Sequence, residues 1–131
     1  MKMNQDNEYC WVILGQRRGR LWQGRRTGQM EGMPHSVEFD AHSVLEREEK
    51  RGDVIGFLHT HPTGLARPSE RDLKTMRAWV EAFGKPMLCL IEGTDGLAGY
   101  RFDSAQSFGR PLETVEKFPR GVLIGVEEYG E

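Results

Sequence analysis

Residues 54–62 read VIGFLHTHP, and residues 69–72 read SERD. The run VIGFLH has the length and composition of a buried strand, which should end at the proline because proline cannot donate a hydrogen bond within a sheet. Side chains alternate along a strand, so His59 and His61 should lie on the same side of it. With the carboxylate of Asp72, the two imidazoles provide three ligands and leave room for a water, as in a catalytic zinc site.

The stretch SERD also has a simpler interpretation, as the start of a helix. Ser-x-x-Asp after a proline is close to a capping box, with Ser69 as the N-cap and Asp72 at the third helical position. The two interpretations are compatible, because a carboxylate in the first turn points back toward the helix N-terminus, where the loop brings the end of the strand. The helix dipole favours the ionised carboxylate, which is the form that binds a metal.

The composition indicates a single soluble domain, residues 1–131, with one core. A net charge of −2 gives no indication of nucleic acid or of a membrane surface as a partner, and no apolar run is long enough to cross a bilayer. The polar N-terminus does not resemble a signal peptide. Cys10 and Cys89 each lie in an apolar run and are interpreted as buried free thiols, which fits a cytoplasmic location.

Hydrophobic periodicity predicts two helices and a mixed sheet. The helices are expected at Ala41–Lys50, after Asp40 as N-cap, and at Ser69–Phe83, each followed by a glycine. Residues 16–19, 29–34 and 104–120 are interpreted as turn or irregular structure. The fold class is therefore α/β of the α+β type, with a mixed, mostly antiparallel central sheet against which two main helices pack. The strands are expected at 9–14, from 21 onward, and at 36–39, 54–59, 87–91, 97–102 and 122–126.

The central residues together read His-x-His-Pro, six residues, then Ser-x-x-Asp. This pattern matches, position for position, the motif of the JAMM (MPN+, JAB domain) metalloproteases, which are zinc-dependent deubiquitinating isopeptidases with prokaryotic relatives. The chain resembles that family over most of its length, since the family also has a strand before the motif and a helix after it. The resemblance implies the MPN architecture, which is cytidine-deaminase-like, and one zinc ion per chain. It also implies that the zinc ligands are His59, His61 and Asp72, and that Ser69 stabilises the tetrahedral intermediate.

The family also has a glutamate far upstream, in a Glu-x-Cys-Gly-x-Leu-x-Gly context. Residues 8–15, EYCWVILG, keep the glutamate, the cysteine and the closing glycine, with Trp11 in place of a small residue. Glu8 is thus the expected general base, and Glu31 and Glu38 are alternatives that are more simply solvated residues. The family usually has a strand and a helix before this glutamate, where seven residues precede Glu8 here. A second copy of the chain, in a homodimer, or another partner is expected to cover the exposed surface.

The resemblance implies hydrolysis of the amide bond after the C-terminal glycine of ubiquitin or a ubiquitin-like protein. Glu8 would move the proton and Ser69 would donate to the oxyanion. The setting would be prokaryotic, with associated activating and conjugating enzymes, including in antiviral defence operons. Two alternatives stay open: processing of a ubiquitin-like sulfur-carrier protein, and a non-catalytic MPN scaffold. Scaffolds of that kind have lost motif residues, all of which this chain keeps.

Charged residues elsewhere have weaker interpretations. The glutamates at the C-terminal end, Glu127, Glu128 and Glu131, are expected to do no more than solubilise it. Five arginines crowd the first predicted hairpin, which is either a solvated hairpin face or a docking patch for an acidic partner such as a substrate protein. These arginines are Arg17, Arg18, Arg20, Arg25 and Arg26.

Overall fold

The computed structural model describes residues 8–31 and 41–128. Within these ranges the chain forms seven strands and two α-helices, and a short 3-10 turn at Pro119–Gly121. Neither of the two helices has both the length and the apolar character needed to span a membrane. The elements are β1 (Tyr9–Arg18), β2 (Leu21–Glu31), α1 (Ala41–Arg51), β3 (Val54–Thr60), α2 (Glu70–Phe83), β4 (Met87–Gly93), β5 (Gly96–Phe102), β6 (Arg110–Lys117) and β7 (Val122–Glu127).

The seven strands close into a barrel in the order β1-β2-β7-β6-β5-β4-β3. Strands β3 and β4 run parallel, and the other neighbouring pairs are antiparallel. The predicted α+β class, with a mixed and mostly antiparallel sheet and two helices, is therefore confirmed. Closure of the sheet into a barrel was not predicted. It depends on the pairing of β2 with β7, two strands far apart in the chain, and local hydrophobic periodicity does not indicate which distant strands pair. The MPN architecture itself stays a prediction.

Two apolar clusters lie on the two sides of the sheet. The inner cluster has members from all seven strands and none from a helix, so it fills the barrel. The outer cluster includes Val44 of α1 and Met76 and Val80 of α2, so it lies between the helices and the sheet. Side chains of β1 alternate between them, with Trp11 on the inner side and Cys10 on the outer side.

A bulge in β3 determines which way its last residues point. The register of β3 against β1 slips by one residue, and Ile55 has no opposite residue on β1. Val54 and Phe57 consequently both pack on the helix side, whereas on a regular strand residues three apart face opposite sides. His59 is two residues beyond Phe57 and faces the same side, toward α2.

Helix α2 begins and ends as its sequence predicts. Ser69 is the N-cap, and its hydroxyl and the carboxylate of Asp72 form a complete capping box. Gly84 adopts the left-handed conformation with φ 66°, and its N–H donates to the carbonyl of Val80. The other helix, α1, likewise ends just before Gly52, whose φ is 64°.

Other predicted boundaries were wrong or are not described. Strand β1 continues to Arg18 through the predicted turn at 16–19, and β2 includes residues 29–31 of the predicted irregular segment. The predicted loop 104–120 contains β6, whose apolar alternation is interrupted by a register shift between Leu112 and Thr114. The predicted strand 36–39 and the predicted N-cap at position 40 lie outside the described residues.

Candidate metal centre

One end of the barrel brings together the start of β1 and the ends of β3 and β4. Cys10 of β1 is opposite His59 of β3, and His59 is in turn opposite Ile91 of β4. Glu8 directly precedes β1, and His61 directly follows β3. The fold therefore places the upstream glutamate beside the two histidines, although fifty residues of chain lie between them.

Three metal-ligating side chains converge at this end. The Nε2 atoms of His59 and His61 are 3.1 Å apart. The Oδ1 atom of Asp72 lies 3.1 Å from His59 Nε2, and its Oδ2 atom lies 3.2 Å from His61 Nε2. In the described part of the chain, these three residues are the group of histidine, cysteine or acidic side chains that could hold a metal ion.

The chemistry and spacing of these donors fit a metal ion. Four tetrahedral ligands at about 2.0–2.2 Å from zinc lie about 3.3–3.6 Å from one another, close to the 3.1–3.2 Å found here. His61 Nδ1 is 2.8 Å from the carbonyl oxygen of Leu65, which can only accept, so Nδ1 carries the proton. In the neutral ring, the Nε2 atom of His61 therefore carries the lone pair and directs it to the centre, as a metal ligand must.

Asp72 is part of the capping box of α2 and also faces both histidines of the centre. Its Oδ2 atom accepts a hydrogen bond from the backbone N–H of Ser69 at 2.8 Å. Burial raises the pKa of Asp72, but hydrogen bonds with His59 and His61 outweigh burial and hold the pKa well below its usual range. The bond to Asp72 in turn raises the pKa of His61. The carboxylate is thus ionised, as predicted for a ligand at a helix N-terminus.

Glu8 lies within reach of the centre. It is buried, with 8% of its surface exposed, and its Oε1 atom is 3.9 Å from His61 Nε2. The next residue, Tyr9, donates its backbone N–H to the hydroxyl of Thr60 at 2.9 Å. Thr60 stands between the two histidines, so this bond fastens the start of β1 to the histidine stretch. The alternative Glu31 ends β2 opposite Tyr9, and Glu38 lies outside the described residues.

Ser69 stands at the mouth of the centre and is exposed. Its Oγ atom accepts from the backbone N–H of Asp72 at 3.1 Å, which leaves its own proton free to be donated. Ser69 and Glu8 line both an inner cavity and an outer cleft at this mouth. The outer cleft is completed by His61, Pro62, Thr63 and Gly64.

The two cysteines lie at the floor of the inner cavity. Cys10 and Cys89 are both free and buried, as predicted. Burial raises the pKa of both thiols, and the negative charge of Asp72 adds to the effect, so both are protonated and unreactive at neutral pH.

Sequence reasoning missed Thr60 and the Leu65 carbonyl as partners of the site residues. Thr60 could have been found from the sequence, because a side chain able to form hydrogen bonds lies between the two histidines. No signal marks Leu65, because a backbone carbonyl is common to every residue type and only the path of the loop selects this one.

The five arginines of the first hairpin differ in their contacts and exposure. Arg17 and Arg20 form ion pairs with glutamates of β7 and β6, at 3.0 Å each. Arg26 lies over a buried tryptophan ring, 4.8 Å from its centre. Arg18 and Arg25 are exposed. The tip of the hairpin is at the end of the barrel opposite the histidines. A docking role for these residues stays a prediction.

The expectation that Glu127 only solubilises the C-terminal end was wrong. Glu127 is buried, with 7% exposed, and its carboxylate accepts from the indole N–H of Trp22 at 2.7 Å. It also forms ion pairs with Arg17 and Arg101. Alternation along β7 places it on the inner side with Leu123, which could be recognised only once the strand and its register were known. Of the other two glutamates, Glu128 is exposed, and the last residue lies outside the described ranges.

Fold and site together define an α+β protein whose closed sheet carries a His–His–Asp group fit for a metal ion. The family model of prokaryotic homologs of the JAB domain matches residues 2–106. That span is most of the chain, so the protein belongs to this family, and the resemblance drawn from the histidine motif is confirmed. The match ends before β6 and β7. None of the curated proteins matches the chain.

Proposed function

We propose that this protein is a zinc-dependent peptidase of the JAMM type that cleaves the amide bond after the C-terminal glycine of ubiquitin or a ubiquitin-like protein. The observation that carries the proposal is the position of Glu8, whose Oε1 atom lies 3.9 Å from His61 Nε2. Family membership is equally compatible with a partner-binding scaffold. A buried carboxylate beside three metal ligands is, however, what amide hydrolysis needs, and binding alone does not need it.

Zinc would be held by His59, His61 and Asp72, one ion per chain. When bound, it supplies Lewis acidity, which polarises the amide carbonyl and lets water act as a nucleophile near neutral pH. Two imidazoles and one carboxylate are the ligand set of a hydrolytic zinc site that keeps an open position.

The chain's own residues would supply the proton transfers and the oxyanion contact. Glu8 takes a proton from the attacking water and returns it to the leaving amine. Ser69 uses its hydroxyl proton to bond the oxygen on which negative charge develops, a contact that contributes roughly 3 kcal/mol in comparable sites. The capping bond from Asp72 holds the Ser69 oxygen in place before substrate arrives.

The choice of substrate rests on the family rather than on a pocket of this chain. We propose a bacterial setting in which activating and conjugating enzymes attach a ubiquitin-like modifier, including in antiviral defence. Processing of a sulfur-carrier protein would use the same residues. A purified enzyme offered both a linear carrier extension and a lysine-linked conjugate would distinguish the two.

Zinc content and cleavage by Glu8→Gln test the proposed function. The variant keeps the shape of the side chain but cannot accept a proton, so we expect full zinc content and a loss of cleavage of about 10²–10⁴-fold. Glu49→Gln, which changes an exposed glutamate of α1, is the matched control and should cleave like the wild type. A wild type that contains no zinc and does not cleave would instead support the scaffold, and full activity of Glu8→Gln would refute Glu8 as the general base.

A further inference from the structure

The hairpin formed by β4 and β5 packs against the loop that joins His61 to α2 and forms hydrogen bonds with it. Ala66, at the middle of this loop, is 4% exposed. Its backbone N–H donates to Oδ1 of Asp95 at 2.8 Å, and its carbonyl accepts from the hydroxyl of Tyr100 at 2.6 Å. Both polar backbone groups of one buried loop residue are therefore fixed by side chains of a different element.

The backbone of the same hairpin also packs directly on the loop. Thr94 donates its N–H to the carbonyl of Gly64 at 2.9 Å. A Cβ atom on Gly93 would lie 2.4 Å from Ala66 N and 2.6 Å from the carbonyl carbon of Leu65. Only glycine permits so close an approach of two backbones.

This loop carries the acceptor that orients His61. Leu65, whose carbonyl accepts from His61 Nδ1 at 2.8 Å, directly precedes Ala66. The backbone N–H of His61 donates to the Glu92 carbonyl at 2.8 Å, again on the hairpin. A displacement of Ala66 would therefore move the Leu65 carbonyl relative to the His61 ring.

We propose that Asp95 and Tyr100 are positioning residues for the metal centre. They hold Ala66, and through it the Leu65 carbonyl, so that the His61 ring keeps the orientation and the tautomer that bind a metal. Partners that orient a metal-bound histidine typically change metal affinity by 10–100-fold when they are removed. The proposal rests on the metal site of the proposed function, but it concerns metal affinity and not cleavage.

The test measures zinc affinity of the full chain by competition with a chromophoric chelator, together with the visible spectrum of the Co²⁺ form. Tyr100→Phe and Asp95→Ala should each weaken zinc binding by about tenfold and change the Co²⁺ spectrum. Asp95→Asn retains an acceptor oxygen and should restore most of the affinity. Ser107→Ala is the control, because it also removes a hydroxyl that accepts from a loop backbone N–H, at 2.9 Å, but in the loop before β6.

Wild-type affinity and an unchanged Co²⁺ spectrum in Tyr100→Phe and Asp95→Ala would overturn the proposal. An equal loss in Ser107→Ala would also overturn it, since the effect would then be general destabilisation. If Asp95→Ala does not fold, Tyr100→Phe, which removes a single oxygen atom, decides. A wild type that binds zinc without cleaving contradicts only the proposed function, whereas one that binds neither metal contradicts both.

Discussion

At the scale of single residues, the centre depends on side chains that make two contacts each. Asp72 accepts from the backbone of Ser69 through the same carboxylate that faces His59 and His61. His61 donates to a loop carbonyl through one ring nitrogen and presents the other to the centre. Thr60 links the histidine stretch to β1. Each second contact fixes the orientation of a side chain before a metal or a substrate binds, which reduces the cost of ordering it later.

Thr60→Val should separate metal binding from cleavage. Valine has the shape of threonine but cannot accept the N–H of Tyr9, so the start of β1 and the adjacent Glu8 should shift. A displacement of about 1 Å can cost on the order of 100-fold in rate, so we expect a 10–100-fold fall in kcat with zinc content unchanged. Steady-state kinetics and metal analysis measure this. Thr60→Ser, which retains the acceptor, should behave like the wild type, and an equal loss in that variant would refute the role of the hydroxyl.

At the scale of elements, the bulge at Ile55 and the cap of α2 determine what faces the centre. If β3 continued from Val54 without the bulge, regular alternation would place His59 on the inner side of the barrel. A shift of one residue moves every later side chain of a strand to the other face. The cap brings the first turn of α2 to the end of β3, where Asp72 meets both histidines. One irregular residue and one helix start therefore create the site.

Ser69→Ala should reduce both the stability of the protein and its rate of cleavage. Loss of the cap costs about 1 kcal/mol of unfolding free energy, and loss of the hydroxyl donor costs about 10²–10³ in kcat. Denaturant unfolding and cleavage assays measure the two effects on the same preparation. Ser69→Thr keeps the oxygen and the proton and should retain both properties. Normal cleavage by Ser69→Ala would limit the residue to its capping role.

At the scale of the whole molecule, the barrel has two chemically different ends. The histidines, Asp72 and Glu8 lie at one end, and the buried carboxylate of Glu127 lies at the other with two arginines and an indole. The inner apolar cluster fills the space between them. Closure of the sheet is what brings β1, β2 and β7 together around Glu127.

Glu127→Gln should destabilise the barrel and leave the metal centre intact. The change removes a buried charge that faces Arg17 and Arg101, and a hydrogen bond to a charged group contributes about 1.5–3 kcal/mol. We expect a loss of about 2 kcal/mol in urea unfolding of the metal-free protein and an unchanged affinity for zinc. Glu128→Gln, an exposed neighbour, is the control. A stability equal to that of the wild type would show that the charge of Glu127 does not stabilise the barrel.

The amino-acid sequence by itself determined the local parts of this protein. The residue types and spacing of His59, His61, Ser69 and Asp72 predicted a His–His–Asp group that could hold a metal ion, and the start of α2, because both depend on neighbours within a dozen residues. Apolar runs predicted most of the strands for the same reason. Strand β6 was missed where a register shift breaks the alternation.

The tertiary structure alone decided the parts that join distant segments. Strand pairing determines the closure of the barrel and the burial of Glu127. It also determines that Asp95 and Tyr100 form hydrogen bonds with the backbone of Ala66. The approach of Glu8 to His61 was expected from the family pattern, but its 3.9 Å distance comes from the pairing of β1 with β3. A local turn sets the register within a hairpin, but the register between strands far apart in the chain depends on how they pack, which local propensity does not reveal.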